Sequence, residues 1–300
     1  IDFKITSKKK SINLNQLLET DDLTTAKLNI SYANKDTNKD YKAILRYSYE
    51  QTIIDRVSPS KIANLKKYFN VNLKTKELSL EKFAKVEINQ NIIVPIGYKF
   101  IIKEGSSLYF KENVGLIVNG ELLIEGSTLH PVIIDGVNNK ESWSGVLILA
   151  EGKPVRIKNL IMKGGSGKLN GKQYRGAFTI HNSNIEILNS SFSTNRSEDA
   201  LNLVQVRGLL DNIKIFNTPS DGLDIDFGEI TIGRIELRNI GLDTGADAID
   251  MSKSKVQIED LLIQDVTDKG VSVGESSICE INKVYISKAL VGLTSKDSSS

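Results

Sequence analysis

Six short runs in the second half of the chain share one pattern: a small residue, an apolar one, a polar one and, in all but the last, a second apolar one. They are Ala177-Phe178-Thr179-Ile180, Ala200-Leu201-Asn202-Leu203, Gly222-Leu223-Asp224-Ile225, Ala248-Ile249-Asp250-Met251, Gly270-Val271-Ser272-Val273 and Gly292-Leu293-Thr294-Ser295. Their first residues stand 23, 22, 26, 22 and 22 apart, and a second column, Asn189, Asn212, Arg234, Asp260 and Lys283, keeps step at 23, 22, 26 and 23. A period of 20–25 residues cannot hold a domain of its own. It describes a unit that buries its apolar face only by stacking on copies of itself.

Within a unit the apolar residues alternate with polar ones, so side chains at every second position share a face, as in a strand. The pattern recurs later in each unit, at Ile213-Lys214-Ile215, Ile235-Glu236-Leu237, Leu261-Leu262-Ile263 and Val284-Tyr285-Ile286. Asn, Asp, Gly and Ser between these segments mark turns. No unit has the 10–12 residues of helical period that a helix-containing repeat requires. The expected fold is therefore all-β: a right-handed parallel β-helix of about 22–23 residues per coil. The unit stretched to 26 residues should bulge over residues 241–245.

Residues 1–85 are richer in Lys, Asn and Asp. They suggest strands over residues 28–33 and 43–49 and a helix starting at Ser58-Pro59-Ser60, with Ile62, Leu65, Tyr68 and Phe69 as its apolar stripe. Residues 79–84 read as a second short helix or a turn. This region is expected to be a small α+β lead-in that caps the first coil, with the β-helix spanning 86–300. Gly292-Leu293-Thr294-Ser295-Lys296 opens another coil, and an open coil leaves apolar edges. The solenoid is thus expected to continue past residue 300, and the sequence to be part of a longer chain.

Composition narrows the function classes. Thirty-nine basic and 37 acidic residues give a net charge of +2, and aromatics are 6% of the chain without basic stripes between them. That argues against nucleic acid as a partner. The run Lys8-Lys9-Lys10 reads as an exposed tail. No apolar run reaches the length of a transmembrane segment. The single cysteine, Cys279, rules out a disulfide within the chain and reads as a small packing residue. Trp143 reads as a core or corner residue. His130 and His181 read as structural or surface residues. Gly164-Gly165-Ser166-Gly167 lacks the following Lys-Ser/Thr of a phosphate loop.

The opening coils carry a resemblance. Val94-Pro95-Ile96-Gly97-Tyr98-Lys99, Gly126-Ser127-Thr128 and Trp143-Ser144-Gly145-Val146 resemble the first coils of bacterial pectate-lyase-like β-helix proteins. Gly164-Gly165-Ser166-Gly167, Asp199-Ala200-Leu201-Asn202, Asp221-Gly222-Leu223-Asp224-Ile225-Asp226-Phe227 and Asp247-Ala248-Ile249-Asp250 are similar to an uncharacterised subgroup. Its members sit on bacterial cell surfaces, some behind a spore-coat kinase-like domain. The resemblance covers roughly residues 62–297 and implies an extracellular or cell-surface location. It does not fix an activity, since that superfamily holds lyases, hydrolases, epimerases and non-catalytic proteins.

Chemistry concentrates in one acidic column. Asp199, Asp221 and Asp247 precede the small residue of successive units, while Asn202, Asp224 and Asp250 follow it by two, with Asp226 on the same face as Asp224. At about 4.8 Å between coils, Asp224 and Asp250 become neighbours whose repulsion is roughly 1 kcal/mol in water and about 3 at an effective dielectric of 20. A bound cation, a shared proton, a basic partner such as Arg207 or Lys253, or plain solvation would offset it. As metal ligands the candidates are Asp221, Asp224, Asp226 and Asp250, with calcium the suited ion. As ligand-binding residues they are Asp199, Asn202, Asp221, Asp224, Asp250, Tyr174 and Arg175. Asp221, Asp224 and Asp250 are the candidates if the chain is an enzyme.

For hydrolysis the pattern is incomplete. Asn217-Thr218-Pro219-Ser220-Asp221-Gly222 is similar to the Asn-Thr-Asp-Gly element of polygalacturonases but carries two extra residues. The Gly-His-Gly and Arg-Ile-Lys elements of that family, the calcium aspartates and paired arginine of pectate lyases, and the histidine motif of alginate epimerases have no counterpart. The resulting expectation is a non-catalytic surface module that binds a polysaccharide or a protein partner along its long face. The alternatives are a polysaccharide hydrolase or lyase, and a structural spacer.

Overall fold

The structure, a computed structural model, describes residues 29–34, 37–42, 58–138, 142–169, 172–243 and 245–300. The chain divides into two compact units, Ile1–Val57 and Ser58–Ser300. In the first, strands Asn29–Asn34 and Thr37–Lys42 pair antiparallel, from Asn29↔Lys42 to Asn34↔Thr37. The strand expected over residues 43–49 and the run Lys8-Lys9-Lys10 lie outside the described residues.

The second unit is a parallel β-solenoid of about nine coils. Three ladders run along it. In sheet 1, Val146, Phe178, Leu201, Leu223, Ile249, Val271 and Leu293 occupy one register position in successive coils. In sheet 2 the same holds for Val155, Ile185, Gly208, Ile230, Val256 and Cys279. In sheet 3 it holds for Ile134, Met162, Phe192, Ile215, Leu237, Ile263 and Ile286. The period read from the sequence is therefore the coil itself. Leu223, Ile225, Ile249 and Met251 are all fully buried, as the alternation requires.

The corners are made by residues that tolerate a left-handed backbone. Asn189 and Asn212 turn between sheets 2 and 3 at φ 49° and 52°, and Asn217 and Asn239 leave sheet 3 at 57° and 55°. Asparagine adopts this region at low cost, and stacking gives it a further bond to the coil beside it. Asn212 Nδ2 donates to Asn189 Oδ1 at 2.8 Å and Asn239 Nδ2 to Asn217 Oδ1 at 2.9 Å. Gly208 is different in kind: φ is +143° and a Cβ there would sit 2.0 Å from the Ile185 carbonyl oxygen. Only glycine lets the two coils approach that closely.

Parallel stacking begins at strand Glu77–Leu80, which pairs with residues 99–102, ahead of the start expected near Val86. The helix foreseen after Ser58-Pro59-Ser60 is a single turn, Ile62–Leu65, with Leu65 and Phe69 buried against the first coils. No helix occupies residues 79–84; Ser79 is a strand residue paired with Ile101, and a turn follows it. Trp143 is a core residue, stacked on Phe110 with ring centres 4.9 Å apart and donating from Nε1 to the Lys163 carbonyl at 3.0 Å. The chain leaves sheet 3 at Ile240 and returns to sheet 1 at Ile249, and the four extra residues fall between those two strands.

Candidate functional site

The polar position of each repeat forms a single column on sheet 1. Thr179, Asn202, Asp224, Asp250, Ser272 and Thr294 lie side by side in unbroken parallel register. Asp199 and Asp221 stack at the head of the same sheet. The acidic groups are thus brought together as the repeat predicts.

The centre of the column is not solvated, however. Thr179, Asn202 and Ser272 are 0% exposed and Asp224 only 4%. Rungs about 4.8 Å apart shield one another's short side chains from above and below. At the Asp224 rung a long side chain crosses as well. Arg175, two coils earlier, reaches forward so that Nη1 lies 3.4 Å from Asp224 Oδ2 and 3.8 Å from Asp226 Oδ2. The basic partner is therefore Arg175. Arg207 faces Glu229, and Lys253 lies over the Phe227 ring at 5.5 Å.

Arg175 is set in place by the residue before it. Tyr174 is 2% exposed and donates its hydroxyl to the Ser144 carbonyl at 2.9 Å. Burial pushes its phenol far above the usual range. Tyr174 is an anchor for the segment that enters strand Gly176–Leu188, and its ring presents no face to a ligand.

The carboxylates divide by environment. Asp221 and Asp247 cap the coil that follows each of them. Asp221 Oδ1 accepts the Asp247 N–H at 2.9 Å, and Asp247 Oδ1 accepts the Lys269 N–H at 3.2 Å and its Nζ at 3.1 Å. Asp199 is placed differently. It is 1% exposed, and its Oδ2 has no hydrogen-bond partner among the described residues. Asn202 donates Nδ2 to Asp224 Oδ2 at 2.9 Å, leaving its own Oδ1 equally unpartnered there.

Protonation follows. Loss of solvent, then the neighbouring Asp226 and Asp250 charges, push Asp224 up to about 8, with Arg175 opposing. Burial, then Asp224 and Asp221, hold Asp199 well above the usual carboxylate range. Burial raises Asp221 to about 6 against the pull of its backbone hydrogen bond. Near neutral pH the column therefore holds its repulsion down with retained protons and one guanidinium. Around this buried centre, Asp221 and Asp250 are half-buried, and the side chains of Asp226 and Arg175 are 20% and 57% exposed. That rim is what a ligand can touch.

Among the described residues, no group of three or more His, Cys, Asp or Glu side chains is arranged to hold a metal ion. Asp224 and Asp250 are register neighbours, Asp226 lies on the same face as Asp224, and Asp221 stands at the head of the strand. His130 is exposed beside the Phe83 ring, and His181 is on sheet 1 three coils before Asp250. Cys279 is half-buried and burial lifts its thiol to about 11, so no thiolate is present at neutral pH. No helix of the described residues is long and apolar enough to cross a membrane.

Two features escaped the sequence. The reach of Arg175 to Asp224 spans 49 residues and depends on the coil geometry. A groove of about 770 Å³ also opens on the sheet 3 side of the loops leading into sheet 1, between Asp135 and Asp243. The alignment of Lys163, Ser193 and Phe216 in one register row was the available signal, obscured because 30 residues separate the first two and 23 the second two. No protein-family model, curated protein or solved structure matches the chain.

Proposed function

We propose that the solenoid is a non-catalytic binding module of the bacterial cell surface or extracellular space. It would hold a polysaccharide or a protein partner on the outer face of sheet 1, around Arg175, Asp221, Asp226 and Asp250. The observation that carries this reading is the accessible guanidinium and carboxylate rim, held rigidly over a buried column whose charge is only partly balanced. A rim of this kind suits ligands with cationic groups, or anionic ones bridged by a hard cation such as calcium. The resemblance to pectate-lyase-like surface proteins supports both the location and the ligand class.

The test is a glycan array of acidic and amino polysaccharides, probed with and without millimolar calcium. Wild type should bind at least one class, and Arg175→Ala and the double variant Asp221→Asn with Asp250→Asn should both lose that binding. Retention of binding in both would refute the assignment.

A specific observation also favours an enzyme as the second reading. Asp221 at about 6 and Asp224 at about 8 are neighbouring carboxyls in different protonation states near neutral pH, the condition for an acid and base pair in glycoside cleavage. New reducing ends or unsaturated products released by wild type but not by Asp224→Asn would establish it.

A further inference from the structure

The groove on the sheet 3 side shares no residue with the acidic column. Its floor follows the register of the coils: Lys163, Ser193 and Phe216 occupy the same position in three successive rungs. Asp135 lies one coil before Lys163, whose charge lowers its carboxyl against the larger upward effect of burial. The groove therefore advances along the solenoid by about 4.8 Å per residue of that row, close to the repeat of an extended sugar chain.

Its chemistry is mixed. Phe216 is half-buried and offers a ring, and Leu242 is 61% exposed on the loop that forms one wall. Positive groups, Lys163 and Arg196, are matched in number by Asp135 and Asp243, so the lining has no dominant sign. Two lining polar atoms also lack partners among the described residues: Asn195 Oδ1, in a side chain 5% exposed, and Ser142 Oγ. Asn195 Nδ2 is engaged by Ser197, donating to its Oγ at 2.9 Å, which fixes the amide and leaves its carbonyl oxygen as an acceptor in want of a donor. A buried acceptor without a donor is costly. A concave site with an apolar surface and a few fixed polar atoms is a ligand site in form.

We propose that this groove binds a neutral, hydroxyl-rich oligosaccharide laid along the coils. One ring would rest on Phe216 and a hydroxyl would donate to Asn195 Oδ1. Hydroxyls supply the donors the lining lacks, and a neutral chain matches its balanced charge. The groove is a second surface, and its occupancy does not depend on the sheet 1 assignment.

The probes are cellohexaose, xylohexaose and mannohexaose, with hexagalacturonate as the anionic comparison, titrated by calorimetry. At least one neutral hexaose should bind. Phe216→Ala should weaken it about tenfold, a change of about 1.4 kcal/mol. Because Phe216 also packs, Leu242→Asp at the exposed wall is the second variant and should weaken binding without lowering the melting temperature. Asp221→Asn with Asp250→Asn should leave hexaose binding unchanged. The proposal is overturned if no neutral hexaose binds, if hexagalacturonate alone binds, or if neither groove variant changes the affinity. It is equally overturned if the sheet 1 variants abolish hexaose binding, an outcome that would place the sugar on the acidic face.

Discussion

Replacing Asp224 by asparagine should remove a pH dependence from the stability of the solenoid. In the folded protein Asp224 keeps its proton up to about pH 8, whereas unfolded it ionises near the usual 3.8. Between those values the unfolded state binds fewer protons, so stability falls as pH rises. The contribution is fully present below about pH 4 and spent above about pH 8. The slope is about 1.4 kcal/mol per pH unit, or roughly 3 kcal/mol between pH 5 and 7. For a unit of this size that corresponds to about 5–10 °C in Tm. Asparagine keeps the oxygen that accepts from Asn202 Nδ2 and cannot ionise. Asp199 remains in the variant with its own raised carboxyl, so the informative quantity is the wild-type Tm minus that of Asp224→Asn. Chemical and thermal denaturation at pH 5, 6 and 7 should show that difference moving against wild type as pH rises. A flat difference would mean that Asp224 is ionised and solvated in the folded protein, and the shielded column would be wrong.

Three further outcomes follow from the same geometry. Leu223→Ala, at a fully buried core position, should cost about 2–5 kcal/mol by denaturant melting; a loss below about 1 would contradict the inward face assigned to it. Gly208→Ala should destabilise by more than about 2 kcal/mol, because its Cβ meets the Ile185 carbonyl; an unchanged Tm would refute that close approach. Millimolar calcium should raise Tm if the sheet 1 rim takes a hard cation, by an amount equal to about 2.7 kcal/mol at a hundredfold excess over Kd. Asp221→Asn with Asp250→Asn should abolish the increment, and equal melts in calcium and in chelator would leave proton retention and Arg175 as the whole compensation.

The coil was legible because its determinants are local. Alternation like that at Leu223-Asp224-Ile225 recurs from unit to unit, and corner asparagines such as Asn189 and Asn212 mark two of the turns, so the register of the whole column could be read from the spacing. What the alternation shows is direction. It does not show cover: Asn202 and Asp224 point away from the core and are buried all the same, which turns a solvated acidic face into a protonated one. The identity of the cation had no local signature either. Arg207 and Lys253 are nearer to Asp224 in the chain, yet Arg175 arrives because Tyr174 is pinned to Ser144 and the side chain crosses two coils. The groove was hidden for a similar reason, since Asn195, Phe216 and Leu242 meet only when coils of unequal length are stacked.

The central claim, that the Arg175 and carboxylate rim of sheet 1 is the binding surface, is tested most directly by calorimetric titration of the strongest array ligand. Wild type, Arg175→Ala, Asp221→Asn with Asp250→Asn, and Leu242→Asp would be titrated with it under one set of conditions. The account predicts that the two sheet 1 variants lose about tenfold or more in affinity, while Leu242→Asp, in the groove on the sheet 3 side, keeps the wild-type Kd. Undiminished binding in both sheet 1 variants would contradict it.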